Sequence, residues 1–173
     1  VRVPESEVLK IMVKSLGGAP TVVPWPELYT SLQTGVVDAQ EVSIPAMVEV
    51  KLYEVQKYLT LNRHTYDINN LYINDKWFKQ QPPEWQKVIY EAGRMSNIAN
   101  RGLMQIMLVE NLDIMKKHGV QVYVPSPKEI GEFKQLSQAP VIDFLKKKIG
   151  AALVDEFIQV AKDAEKDLDS LNK

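Results

Sequence analysis

One arginine carries most of the chemistry that can be read from this 173-residue chain. Arg2 lies in a short apolar stretch, Val1-Arg2-Val3, that runs straight into a helix start at Pro4-Glu5-Ser6. A guanidinium is a planar fork of N–H donors whose spacing matches the two oxygens of a carboxylate. A helix start beside it adds backbone N–H groups and the positive end of the helix dipole. The combination suits an acid group. A solvated or surface-bridging arginine fits the same residues, so position alone leaves both readings open.

Other reactive constellations are missing from the sequence. The two histidines, His64 and His118, are far apart and there is no cysteine. That rules out a disulfide framework and thiolate chemistry, and no zinc site is expected. No Gly-x-Ser-x-Gly elbow, Gly-x-x-x-x-Gly-Lys loop or Gly-x-Gly-x-x-Gly turn occurs, and Gly17-Gly18 reads as a helix stop. Asp38 and Glu41 share one short segment and are expected to face opposite sides of a strand. No catalytic residue, metal ligand or cofactor is assigned.

Composition narrows the class further. Hydrophobic residues make up 45% and charged residues 25%, a globular balance that argues against disorder. The net charge is −1 with both signs interspersed, so no basic stripe invites nucleic acid or an anionic membrane. No apolar run approaches the length of a membrane span, and direct membrane insertion is not expected. Nothing at the start reads as a signal peptide; a chain opening within a strand, without methionine, is what a processed or partial chain shows.

The elements that would position Arg2 alternate between strand and helix. Val1–Val3 reads as a strand. Glu5–Leu16 reads as a helix with Val8, Ile11, Met12 and Leu16 on one side. Thr21–Val23 reads as a strand, Pro26 opens a helix over Glu27–Gln33, and Gly35 closes it. Val36–Val42 is expected to be a further strand and Ile44–Lys51 a helix. Tyr58–His64 and Ile68–Ile73 read as strands from their β-branched and aromatic content. Pro82-Pro83 opens a helical pattern reaching Lys117, in which Gly93 and Gly102 are candidate bends. Val120–Val124 is the last strand, and Pro127–Gly150 and Ala151–Leu171 are helical. The alternation predicts an α/β fold with parallel strands. Met95, Met104, Met107 and Met115 on the long helix are expected to fill core. Lys146-Lys147-Lys148 is expected to be a solvated face.

A longer pattern is more specific. Gly18-Ala19-Pro20-Thr21-Val22-Val23-Pro24-Trp25-Pro26-Glu27-Leu28-Tyr29 is followed by Leu32-Gln33-Thr34-Gly35-Val36-Val37-Asp38-Ala39-Gln40-Glu41 and by Lys51-Leu52-Tyr53-Glu54-Val55-Gln56-Lys57-Tyr58-Leu59. In this order and spacing the segments resemble the DctP-type solute-binding proteins of tripartite ATP-independent periplasmic (TRAP) transporters. The resemblance implies a periplasmic-binding-protein-like two-lobed clamshell with a long bridging helix. Only about the second half of such a receptor is matched, so most of the first lobe is expected to be absent. It assigns 1–67 and 108–173 to the second lobe, and 68–107 to a crossover that contributes to the first. The implied function is a periplasmic receptor that captures a small organic acid and delivers it to the TRAP permease subunits. A sensory module on the same fold, signalling to a partner, is the alternative; an enzyme on a similar scaffold would need a reactive cluster that the sequence lacks.

The resemblance also implies ligand contacts, position by position. Arg2 matches the carboxylate-clamping arginine, and Trp25 matches an aromatic position against the ligand, although a tryptophan between prolines also suits a core cover. Glu5 matches a polar position beside the clamp, where it would accept from ligand hydroxyls or cap the helix. Gln40 approaches the cleft, and Glu41 is assigned to holding the hinge region. Val42 stands where the family often carries a ligand-bonding asparagine, so the pocket there is expected to be more apolar. His64 matches a histidine near the cleft, and a structural hydrogen-bonding role is favoured for it.

Overall fold

The computed structural model describes residues 1–66, 68 and 70–171, with side chains through Leu168. The chain forms two compact units, Val1–Glu41 with Pro125–Lys173, and Val42–Val124.

The first unit is built on a β–α–β crossover. Strand β1 (Arg2–Val3) leads through Pro4 to Ser6, whose hydroxyl caps helix α1 (Glu7–Ser15) by accepting from Leu9 N–H. The chain returns through Gly17, at φ +82°, to β2 (Thr21–Val22). The strands run parallel, with Arg2 opposite Thr21 and Val3 opposite Val22. A parallel pair needs such a crossover because a tight hairpin cannot reverse the chain twice. Val3, Met12 and Val13 are buried together, and Val1, Leu9, Leu16 and Val141 pack on them. Gly18 permits this closeness: a Cβ there would stand 2.9 Å from Val13 Cγ1.

After β2, a 3₁₀ turn over Trp25–Glu27 with Pro26 inside it feeds α2 (Leu28–Gln33), which buries Leu28 and Leu32. The strand expected over Val36–Val42 does not form. Val37 is buried and its N–H returns to the Ser31 carbonyl at 3.2 Å, so the chain folds back on α2. Only Gln40 bridges β1, opposite Arg2. The opposite-face arrangement expected of Asp38 and Glu41 therefore has no strand to rest on.

Two later helices complete this unit. Helix α3 (Ile44–Glu49) belongs to the second unit, as do β3 (Tyr58–Thr60), α4 (Asp75–Lys79), α5 (Pro83–Lys117) and β4 (Gln121–Tyr123). The polypeptide then rejoins the first unit in α6 (Pro127–Ile149), opened by a reciprocal Ser126–Glu129 capping box. Gly150, at φ +97°, turns it into α7 (Ala151–Leu171). Helix α6 packs against both α1 and α7. Within the basic run, Lys146 pairs with Asp155 of α7 at 2.6 Å, so the run is not wholly a solvated face.

In the second unit β3 and β4 are parallel and α3 lies against α5, over buried Met47, Leu52, Met115 and Val120. At 1.5 Å per residue, α5 is about 50 Å long. The strand expected over Tyr58–His64 ends at Thr60, although Leu61 N–H still reaches the Tyr123 carbonyl at 2.9 Å. Arg63, at φ +51°, turns the backbone out of extended geometry. The strand expected over Ile68–Ile73 is absent among the described residues; Asp67 and Asn69 lie outside them. Leu71 instead approaches α5 at Gly93, where a Cβ would meet its Cδ2 at 3.2 Å. Of the four helix methionines Met115 is buried, Met104 and Met107 are half-buried and Met95 is exposed, so core filling holds for only part of the set. No helix among the described residues is long and apolar enough to cross a membrane.

Candidate ligand-binding site

The backbone of Arg2 is fixed on both sides. Its N–H donates to the Ala39 carbonyl at 2.7 Å, and Thr21 N–H donates to the carbonyl of Val1 at 2.9 Å. The side chain turns inward and the residue is only 4% exposed. Nε donates to the Val23 carbonyl oxygen at 3.0 Å, and the guanidinium carbon lies 5.8 Å from the centre of the Trp25 ring. Burial lowers the proton affinity of Arg2 from its ordinary value, and the charge of Glu41 opposes that loss. An arginine starts so high that it stays cationic at neutral pH. A cation withdrawn from water in this way gains most from an anion that meets its remaining N–H groups.

The structure gathers Arg2, Trp25 and Gln40 around β1. Trp25 is 39% exposed, with its ring on the guanidinium. Gln40 is the residue that bridges Arg2. Glu5 lies just beyond β1, exposed, and forms an ion pair with Lys10, which Glu7 also engages at 2.8 Å. The helix-cap reading of Glu5 is overturned, because Ser6 supplies the cap. Val42 and His64 belong to the second unit. Val42 is half-buried, directly before the Ser43 cap of α3. His64 Nδ1 lies 2.6 Å from Asn62 Oδ1, a local hydrogen bond of the turn that follows β3.

One contributor was invisible to sequence reasoning. Val23 serves Arg2 through its main-chain carbonyl, which no side-chain type announces; the signal that points to it is the parallel register placing residues 21–23 beside Arg2. Within the second unit, Asn111 is buried on a helix whose polar residues otherwise read as solvent-facing.

Comparison with known proteins identifies the family and the fold. Residues 1–148 match the family model described as bacterial extracellular solute-binding protein, family 7, DctP. The C4-dicarboxylate-binding protein DctB of Bacillus subtilis is 29% identical over 166 residues, covering 95% of this chain and 47% of DctB. A TRAP periplasmic solute-binding protein from Ochrobactrum anthropi, solved with a C-terminus bound in the ligand-binding pocket, superposes with a TM-score of 0.82 at 33% identity, covering 98% of this chain and 53% of its own. A TRAP periplasmic solute-binding protein from Desulfovibrio salexigens with bound orotic acid superposes with a TM-score of 0.81 at 26% identity, covering 94% and 52%. The chain thus spans about half the length of the relatives it matches, and its α/β architecture is that of TRAP solute-binding proteins. The chain belongs to the bacterial extracellular solute-binding proteins of family 7, the DctP family.

Proposed function

We propose that this chain is the carboxylate-reading part of a periplasmic receptor that captures a small organic acid and delivers it to TRAP permease subunits. The observation that carries the reading is Arg2, a buried cation fixed through β1 and Val23 with Trp25 beside it; the resemblance assigns the clamp to this position. The ligands named for the relatives support it. A C4-dicarboxylate, orotic acid and a protein C-terminus have a carboxylate in common.

In this reading Arg2 orients the acid and Trp25 forms an apolar wall. Gln40 and Glu5 supply polar contacts; the resemblance also implies an apolar ligand-facing position at Val42 and a structural hydrogen-bonding role for His64. Glu41 supports Arg2 electrostatically. The lobe assignment goes with it: 1–67 and 108–173 belong to one lobe, and 68–107 crosses to the other. Ligand contacts to both lobes would shift the population toward a closed form. No catalytic step is part of this function; the relatives named above are binding proteins.

A thermal-shift screen of organic acids against a full-length receptor containing this sequence tests the proposal. Stabilisation by one or more carboxylates, and not by their amides, is expected. A receptor stabilised only by neutral solutes would refute it. The 173-residue chain alone is expected to bind the same acid weakly or not at all, because it spans about half of its relatives; micromolar binding by the isolated polypeptide would contradict the lobe assignment.

A further inference from the structure

Helix α5 has two apolar faces. One is turned toward its own unit: Asn111 and Met115 are buried, Met104 and Met107 are half-buried, and Leu71 lies against Gly93. The other has no cover among the described residues. From Trp85 to Val109, apolar or small residues recur in strictly alternating steps of three and four, opening with Trp85, Val88, Ala92 and Met95. Every residue of this series is exposed. Ile98 and Leu103, 60% and 52% exposed, widen the seam at its middle. The seam runs for about 36 Å. An exact seven-residue repeat over that distance suits one long helix lying along α5; packing on any other surface would follow the 3.6-residue turn and drift off the line. The large side chains offer on the order of 700 Å² per copy, above the roughly 300–600 Å² patch of an ordinary monomer and near the roughly 800 Å² that each partner gives to a stable interface.

We infer that two copies of this chain pair through α5, antiparallel about a two-fold axis beside Asn97 and Ile98. The pairing goes beyond the receptor reading and does not rest on it, since Arg2 has no part in it. A two-fold interface must be complementary to itself, and this seam is. In the antiparallel order Trp85 meets Val109 of the partner subunit, Val88 meets Ile106 of the partner subunit, and Met95 covers Ala99 of the partner subunit. Ala92 and Gly102 face each other across the pair and let the backbones approach. Ile98 meets its own copy at the axis. The acids that border the seam find no like charge opposite them: Glu84 and Glu91 face Gln105 and Ile98, and Glu110 faces Ile89. Opposed helix dipoles favour the same order. A parallel order would stack Trp85 on Trp85 and set Ala92, Ala99 and Gly102 against their own copies, leaving voids between the helices.

Sedimentation equilibrium of the 173-residue chain tests the pairing. A species of twice the chain mass is expected at about 50 µM. Ala99→Glu places a charge at the middle of the seam and should weaken pairing at least about ten-fold. Arg101→Glu, an equally acidic change at an exposed position of α5 off the seam, should leave it within about two-fold. Circular dichroism of both variants establishes that the helices are kept. The chain has no cysteine, so oxidation reads the order directly. An equimolar mixture of Met95→Cys and Ala99→Cys chains should give a disulfide-linked dimer, and neither chain alone should. A chain that stays monomeric at about 50 µM, or a dimer as strong with Ala99→Glu as without it, would overturn the pairing and leave this face to the rest of a longer receptor. Cross-linking of each variant with itself, and not in the mixture, would overturn the antiparallel order. None of these measurements reads acid binding, so their failure is distinct from failure of the receptor reading.

Discussion

The Trp25 ring centre lies 5.8 Å from the guanidinium carbon of Arg2, inside the range where a cation is attracted by an aromatic face. Two prolines flank this tryptophan and a 3₁₀ turn carries it, so the ring reaches Arg2 from a rigid backbone. The pairing gives Trp25 a role that exists without ligand. It also means that substitution would act on the proposed acid site through Arg2, with no contact between ring and acid needed. Trp25→Leu should weaken acid binding by about 1–2 kcal/mol, roughly ten-fold, while Trp25→Phe should retain more than half of that energy. Calorimetry of the two variants checks this. Equal losses in both would show that only the size of tryptophan matters and that its pairing with the cation does not.

Asn111 raises a stability question rather than a binding one. It is 6% exposed, and its Nδ2 finds no hydrogen-bond partner among the described residues. A buried donor left without a partner costs about 1–3 kcal/mol, whereas an apolar side chain of similar volume carries no such cost. Asn111→Leu should raise the melting temperature of the protein by a few degrees and leave acid affinity unchanged. A lower melting temperature would mean that the amide is satisfied by bound water or by a partner in the complete receptor.

The Glu5–Lys10–Glu7 cluster at the start of α1 should make a small, pH-bounded contribution. The hydrogen bond and charge of Lys10 hold the Glu7 carboxyl below its ordinary range. Hydrogen bonds from Glu5 and then Glu7 raise Lys10 above its own. A depressed carboxyl contributes above its unfolded pKa and loses that contribution as pH falls through the folded value. A raised amine contributes below its unfolded pKa and loses the contribution as pH rises through the folded value. The cluster is exposed, so salt weakens it as well. Melting curves of wild type and Lys10→Met should therefore differ near neutrality and converge in acid below the lowered Glu7 range and in base above the raised Lys10 range. A difference that persists at both extremes would assign it to packing of the lysine stem.

Much of the fold was legible because its helices follow the simplest rules. In α1, Val8, Ile11 and Met12 recur at helical spacing and Gly17 stops the helix; α5 opens at Pro83 and stops before Gly119. The 36–42 segment was misread because Val36-Val37 has strand composition, while hydrogen bonding back to Ser31 leaves it only one bridge to β1. Strand propensity reports a half-buried pleated surface, and tertiary contacts can supply that burial without a ladder. The five-residue helix α4 went unseen; its Asn74 cap is a single side group in a stretch rich in exposed aromatics. At the site, residue type exposed Arg2 and Trp25. The bond that orients Arg2 ends on a main-chain carbonyl, and every residue has one of those.

Isothermal titration calorimetry of the cognate acid with full-length receptor carrying Arg2→Lys and Arg2→Ala tests the central claim most directly. Lysine keeps the charge but loses the fork, so it separates bidentate reading from simple attraction. Melting curves of both variants establish that the buried position still folds. Removing one partner of a buried charge pair costs about 2–5 kcal/mol, so affinity should fall at least about 30-fold in both variants, with alanine the weaker. A folded Arg2→Ala receptor that binds the acid as tightly as wild type would contradict the account.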